Sequence, residues 1–157
     1  MSDAGEHIKI VLKNKKAYYE YQILEKIEAG IALRGTEVKS IRDGNVSLND
    51  AFARSHGSQM VLMNMHVGTW DSANDYDQHE PTRPRQLLLH KNEARKLSHQ
   101  LEAKGYTLLP LMLYFKRGKL KVELGLARGK NVHDKRQTSM KREADREMER
   151  AKKFRVN

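Results

Sequence analysis

The spacing of apolar and polar positions changes period several times along the chain, and each change marks an element. Between Tyr18 and Leu33 the apolar residues alternate, with Tyr19, Tyr21 and Ile23 on one side and Ile31 and Leu33 further on. This predicts two half-buried strands interrupted at Glu28-Ala29-Gly30. Gly30 and Gly35 beside those strands suit the bulges and sharp bends that curl a small sheet. From Thr36 to Asp43 the period becomes helical: Val38 and Ile41 are three apart, Thr36 can cap, and Gly44 stands where a left-handed stop belongs. Val46 to Ala53 and Met60 to Val67 read as a hairpin around Ser55-His56-Gly57-Ser58. Gly68 to Arg85, with Asp71, Asp75, Asp77, Pro81 and Pro84, reads as a long surface loop. Leu87 to Lys104 places Ala94, Leu97 and Leu101 at helical spacing and ends at Gly105. Thr107 to Phe115 and Leu120 to Leu126 flank the turn Lys116-Arg117-Gly118-Lys119, with Leu120, Val122, Leu124 and Leu126 on one face.

About six short strands, two or three helices and no βαβ rhythm predict a mainly β chain folded as a small antiparallel barrel. The partly open five- or six-stranded kind is the small barrel that most often holds nucleic acid. The pattern leaves the strand order open.

Charge adds a second part to this picture. Residues 128 to 157 hold eleven Lys and Arg against five Asp and Glu, which is +6 of the total +10, and almost no aliphatic residue. The expected division is a barrel over 1–127 and a basic tail over 128–157. Within the tail, Met140, Ala144, Met148 and Ala151 form one narrow stripe. Glu143 with Arg146, and Glu147 with Arg150, stand three apart as opposite charges. So thin an apolar stripe is marginal alone in water, which predicts a tail that is disordered until it folds against a partner. A polycationic extension on a basic chain points to polyphosphate, because neutralising phosphates releases condensed counterions.

Other chemistries find little support. The absence of cysteine excludes disulfides and thiolate metal sites. The seven histidines, at 7, 56, 66, 79, 90, 99 and 133, include no pair at helical ligand spacing. Asp71, Asp75 and Asp77 lack the glycine and closing glutamate of a calcium loop. No catalytic triad order, phosphate loop or nucleophile elbow occurs, so neither an enzyme nor a cofactor is expected. Met1 to Lys16 contains no apolar stretch of signal-peptide length, and the tail has no broad apolar face opposite its charges, so a soluble cytoplasmic protein without membrane contact is expected. Only ten aromatics are present, and most fall on strand patterns, which favours a structured RNA read by shape and backbone over a single strand held by stacking.

Several motifs then stand in order: Glu28-Ala29-Gly30-Ile31-Ala32-Leu33, Gly35-Thr36-Glu37-Val38-Lys39-Ser40, Pro81-Thr82-Arg83, Arg85 with Leu87-Leu88-Leu89, Gly125-Leu126-Ala127-Arg128-Gly129-Lys130, and His133-Asp134-Lys135-Arg136. From about Lys13 to the C-terminus the chain resembles the small protein B family, the tmRNA-binding (SsrA-binding) proteins of bacterial trans-translation. The resemblance implies an OB-type barrel that binds the tRNA-like domain of tmRNA and stands in for the missing anticodon arm on a stalled ribosome. It implies RNA-binding roles for Glu28, Gly30, Lys39, Leu88, His90 and Lys121, and for Arg128, Gly129 and Lys130 leading off the body. By the same resemblance His133, Asp134, Lys135 and Arg136 lie near the 16S rRNA decoding centre. Lys141, Arg142, Met148, Lys152 and Lys153 belong to a helix in the empty mRNA channel. The partners implied are tmRNA, the ribosome and, indirectly, elongation factor Tu carrying alanyl-tmRNA, with the protein itself a monomer. His90 departs from the family, which commonly has asparagine there; an imidazole offers one donor or acceptor where a carboxamide offers a paired edge. A ribosomal or general RNA-chaperone module of the same fold is the alternative reading.

Overall fold

A computed structural model describes residues 7–70, 78–130 and 140–150. The chain forms β1 (Ile8–Lys13), α1 (Lys15–Glu20), β2 (Tyr21–Ile31), α2 (Gly35–Arg42), β3 (Val46–Ser47), β4 (Phe52–His56), β5 (Gln59–Met63), β6 (His66–Val67), β7 (Arg85–Leu88), α3 (Lys91–Lys104), β8 (Thr107–Lys116) and β9 (Lys119–Gly129). A further helix, α4, runs over residues 140–150.

The architecture follows from two long alternating strands. On β9, Val122, Leu124 and Leu126 are almost wholly enclosed while Lys121 and Glu123 between them reach outward. β9 pairs with β8 on one side and β2 on the other, both antiparallel. The main sheet runs β1-β8-β4-β5-β7-β2-β9, and the extra β8–β9 pairing brings the ladder back on itself, giving a mainly β, OB-like body. The β4–β8 seam is narrow, a single bridge between Ala53 and Leu108. Inside lie Met60, Leu62, Leu87, Leu108, Leu113, Val122 and Leu124, closed over by Ile41 of α2 and Leu97 of α3. Gly44, Gly57, Gly105 and Gly118 all take positive φ, at the ends of α2 and α3 and in the two hairpin turns.

Several expectations from the pattern are corrected. β2 is one strand, without an interruption at Glu28-Ala29-Gly30, because β9 pairs with it from Tyr21 to Gly30; the bulge expected at Gly30 falls instead at Leu24, and Gly35 opens α2. Tyr18 and Tyr19 belong to α1, whose first turn is capped by Asn14: its Oδ1 accepts from the Ala17 amide at 3.3 Å. The two expected hairpin strands are each split. Ala51 N turns back to Leu48 O at 3.1 Å before β4, and Asn64 takes φ 62 after β5. The excised pieces, β3 and β6, pair with each other in a separate two-stranded ladder. Arg85 to Leu88 is a strand and not the start of a helix; its alternation of inward Arg85 and Leu87 with outward Gln86 and Leu88 lets it bridge β5 and β2. β1, which the pattern did not suggest, adds to the free edge of β8.

Candidate nucleic-acid interface

Strand alternation puts Glu28 and Gly30 of β2 on the outer face beside Lys121 of β9, with Gly30 directly opposite Lys121. On its other side Gly30 is paired with Leu88, the last residue of β7. A Cβ at position 30 would meet Leu88 Cβ at 3.2 Å, so the missing side chain is what lets Leu88 lie across the strand. Leu88 remains 53% exposed. Two residues later His90 caps α3, with its ring open to solvent; the Glu93 carboxylate accepts from the His90 amide at 3.3 Å. Together with Ser58 and Gln59 from the β4–β5 turn, these side chains line an open groove of about 580 Å³.

The groove's charges are mixed. Glu28 and Glu93 face Lys91 and Lys121, with His90 between. Glu28 is held from behind: Tyr114 Oη donates to its Oε2, and Lys116 Nζ lies 3.5 Å from the same oxygen. The Tyr114 bond, ahead of Lys116 and Lys121, outweighs partial burial and keeps this carboxyl below the ordinary carboxylate range, while burial and the carboxylate push the Tyr114 phenol upward.

Five of the residues singled out in the sequence, Glu28, Gly30, Leu88, His90 and Lys121, therefore meet in one groove. Lys39 does not: it is exposed on α2. Arg128 and Gly129 close the far end of β9, opposite Gln22 and Tyr21, about 26 Å along β9 from Lys121 at the usual rise per residue. There Arg128 Nε donates to Gln22 Oε1 at 2.7 Å. Lys130 follows the strand and ties it to α1, its amide donating to Glu20 O and its Nζ to Tyr18 O, each at 3.0 Å. Lys141, Arg142 and Met148 lie on α4, where Met148 is 65% exposed. Arg142 Nη2 donates to Lys15 O at 3.2 Å and its guanidinium sits 5.7 Å from the Tyr19 ring centre. His133, Asp134, Lys135, Arg136, Lys152 and Lys153 lie outside the described residues.

Sequence reasoning missed what fixes the β7 end of the groove. Glu37 and Arg85 are fully buried. Arg85 Nε donates to Glu37 Oε2, and its Nη1 and Nη2 donate to Met65 O at 2.6 Å and Pro81 O at 3.1 Å. Arg83 Nη2 donates to Glu37 Oε1 at 2.5 Å and the Arg34 amide to the same oxygen at 2.7 Å. Burial opposes the charge on Glu37, but these donors outweigh it and hold the carboxyl below its ordinary value. Beside them the enclosed His79 bridges Thr36 Oγ1 at 2.8 Å and Val67 O at 3.0 Å. Arginine and histidine inside a polar loop gave no sign of burial; only the odd richness of Pro81-Thr82-Arg83-Pro84-Arg85 hinted at it.

Among the described residues no helix is long and apolar enough to cross a membrane, and no cluster of three metal-ligating side chains occurs. The family model of the SmpB protein matches residues 11–154. The SsrA-binding protein of Thermosynechococcus vestitus is 53% identical over 151 residues, covering 96% of this chain and 99% of that one. The SsrA-binding protein of Carboxydothermus hydrogenoformans is 54% identical over 143 residues, covering 91% and 95%. A chain solved in work described as "tmRNA-SmpB: a journey to the center of the bacterial ribosome" shares 48% identity with a TM-score of 0.64, over 77% of this chain and 85% of that one. With the outer-face groove and the basic strand end already in place, these matches lead to one assignment: the chain belongs to the SmpB protein family.

Proposed function

We propose that the protein is a non-enzymatic adaptor for rescuing stalled ribosomes by trans-translation. The barrel groove holds the tRNA-like domain of tmRNA, and the basic tail beyond it probes the decoding centre and the vacant mRNA channel. The observation that carries this is the convergence of Glu28, Gly30, Leu88, His90 and Lys121 on one groove. Its even balance of charges suits recognition of a particular folded RNA better than bulk attraction, because phosphate contacts position a partner while base and sugar contacts specify it. The far end of the β2–β9 ladder, with Arg128 and Lys130, launches the tail. On this reading His133 to Arg136 act at the 16S rRNA, and Lys141, Arg142, Met148, Lys152 and Lys153 act in the channel. The protein works as a cytoplasmic monomer alongside elongation factor Tu.

The test is a titration of the purified protein with the tRNA-like domain of tmRNA, competed by an ordinary tRNA and by unstructured RNA at two salt concentrations. Resistance to both competitors is the expected result. Equal competition by every RNA would overturn the reading in favour of a general RNA-binding module. A chain ending at Gln137 should keep most of that affinity and lose rescue of stalled ribosomes; loss of RNA binding would refute the division of labour.

A further inference from the structure

Glu28 is an unexpected group in a site meant for a polyanion. A carboxylate repels phosphate, accepts hydrogen bonds but donates none, and adds nothing to counterion release. In this groove it is nonetheless anchored with care. Its side chain is 42% exposed, while the Tyr114 that grips it is only 4% exposed. Tyr114 stands opposite Lys121 on the β8–β9 ladder and opposite Ile10 on β1, so its ring is held by strands on both sides. The Tyr114 hydroxyl and the Lys116 ammonium both engage the same carboxylate oxygen, Oε2.

We propose that Tyr114 is a positioning residue for RNA recognition: it fixes the Glu28 carboxylate so that Oε1 accepts from an uncharged N–H or O–H donor of the bound RNA, a base amino or imino group or a ribose hydroxyl. This rests on the groove being the RNA site. A hydroxyl from a buried ring is a better clamp than an ammonium alone, because the phenol is rigid and leaves the carboxylate one orientation. Acceptor-only carboxylates discriminate among bases by taking a donor that the wrong base lacks. The clamp also accounts for a depressed carboxyl pKa at a site that has to stay an acceptor.

The experiment is a double-mutant cycle with Glu28→Gln and Tyr114→Phe, using the full chain and the tRNA-like domain of tmRNA, with thermal melts recorded for every variant. Tyr114→Phe keeps the packed ring and removes only the hydroxyl. Each single variant should weaken binding on the order of tenfold, the size of a lost hydrogen bond to a charged group. The double variant should be no weaker than Glu28→Gln alone, and the dependence of affinity on salt should keep its wild-type slope, since no phosphate contact is removed. A Tyr114→Phe protein that melts and binds like wild type overturns the inference while leaving the groove assignment standing, as does additivity in the double variant. If Glu28→Gln also binds like wild type, the groove assignment falls with it. Single 2′-deoxy substitutions along the RNA locate the donor: a position that weakens wild type but not Glu28→Gln identifies a ribose hydroxyl, and a base donor is assigned when every position weakens both alike. A salt slope that drops with Glu28→Gln would refute the uncharged donor.

Discussion

Replacing Glu37 by glutamine should destabilise the fold more than any surface change, and the structure sets the scale. Glu37 and Arg85 have fully buried side chains, and the carboxylate takes hydrogen bonds from Arg83, Arg85 and the Arg34 amide. An amide in its place keeps one acceptor oxygen, removes the counter-charge of the enclosed Arg85 guanidinium, and turns an NH₂ toward groups that can only donate. Breaking one half of a buried ion pair costs about 3–5 kcal/mol. For a domain of this size 1 kcal/mol moves the midpoint by roughly 2–4 °C, so the melt should fall by about 10 °C. Arg83→Met, whose side chain is partly open at 24%, should cost on the order of 1 kcal/mol. Glu37→Leu combined with Arg85→Met should lie closer to wild type than Glu37→Gln, because no lone charge is left inside. Circular dichroism melts at neutral pH with matched urea titrations measure all of these. A Glu37→Gln melt within 2–3 °C of wild type, roughly 1 kcal/mol, would refute the view that this network is buried and mutually dependent.

The same carboxyl predicts a pH response. Its folded pKa is depressed, so its stabilisation is fully present above the ordinary value of 4.5 and is lost as pH falls through the lower folded value; melts of wild type should decline below that pH more steeply than those of Glu37→Gln. Gly125→Ala would put a Cβ 2.7 Å from Leu111 Cδ1 at the register shift of β8 against β9, and should cost about 1–3 kcal/mol in a urea titration. Gly30→Val should leave the melt within about 1 kcal/mol yet weaken RNA binding several-fold by pushing Leu88 off the strand; unchanged affinity would remove Leu88 from the interface. Lys121→Gln should lower the slope of log affinity against log salt by about one, and an unchanged slope would exclude it from phosphate contact.

Local signals in the sequence held at four glycines and failed at Gly30, where the bulge lies at Leu24 instead. Gly44, Gly57, Gly105 and Gly118 stand at positive φ at the predicted helix ends and turns. Alternation along Leu120 to Leu126 named the inner face of β9 correctly. Periodicity failed where two elements share a composition: Leu87-Leu88-Leu89 extends a helical pattern as readily as a strand, and only pairing with β2 and β5 decided it. Tyr18 and Tyr19 have strand propensity, yet the Asn14 cap and the turn into β2 made them helical. The groove was legible as a set of residues but not as a place, because Glu28, Leu88 and Lys121 meet only through three-strand register. The Tyr114 clamp had no sequence signature at all, since it joins residues 86 apart.

The β2–β9 ladder, bulged once at Leu24 of β2, acts as a ruler along its unbulged strand. On β9 the register runs without a skip from Lys121 to Gly129, so that span is a count of residues converted into length. Whatever binds at the Gly30 end would stand at a set offset from Gly129 at the other. That offset can be edited: two residues added to each strand would lengthen it by about 7 Å and keep every side chain on its own face, whereas one residue would turn the outer face inward. A family of such insertions would show how far the groove has to stand from the far end of the ladder, with the protein itself as the scale.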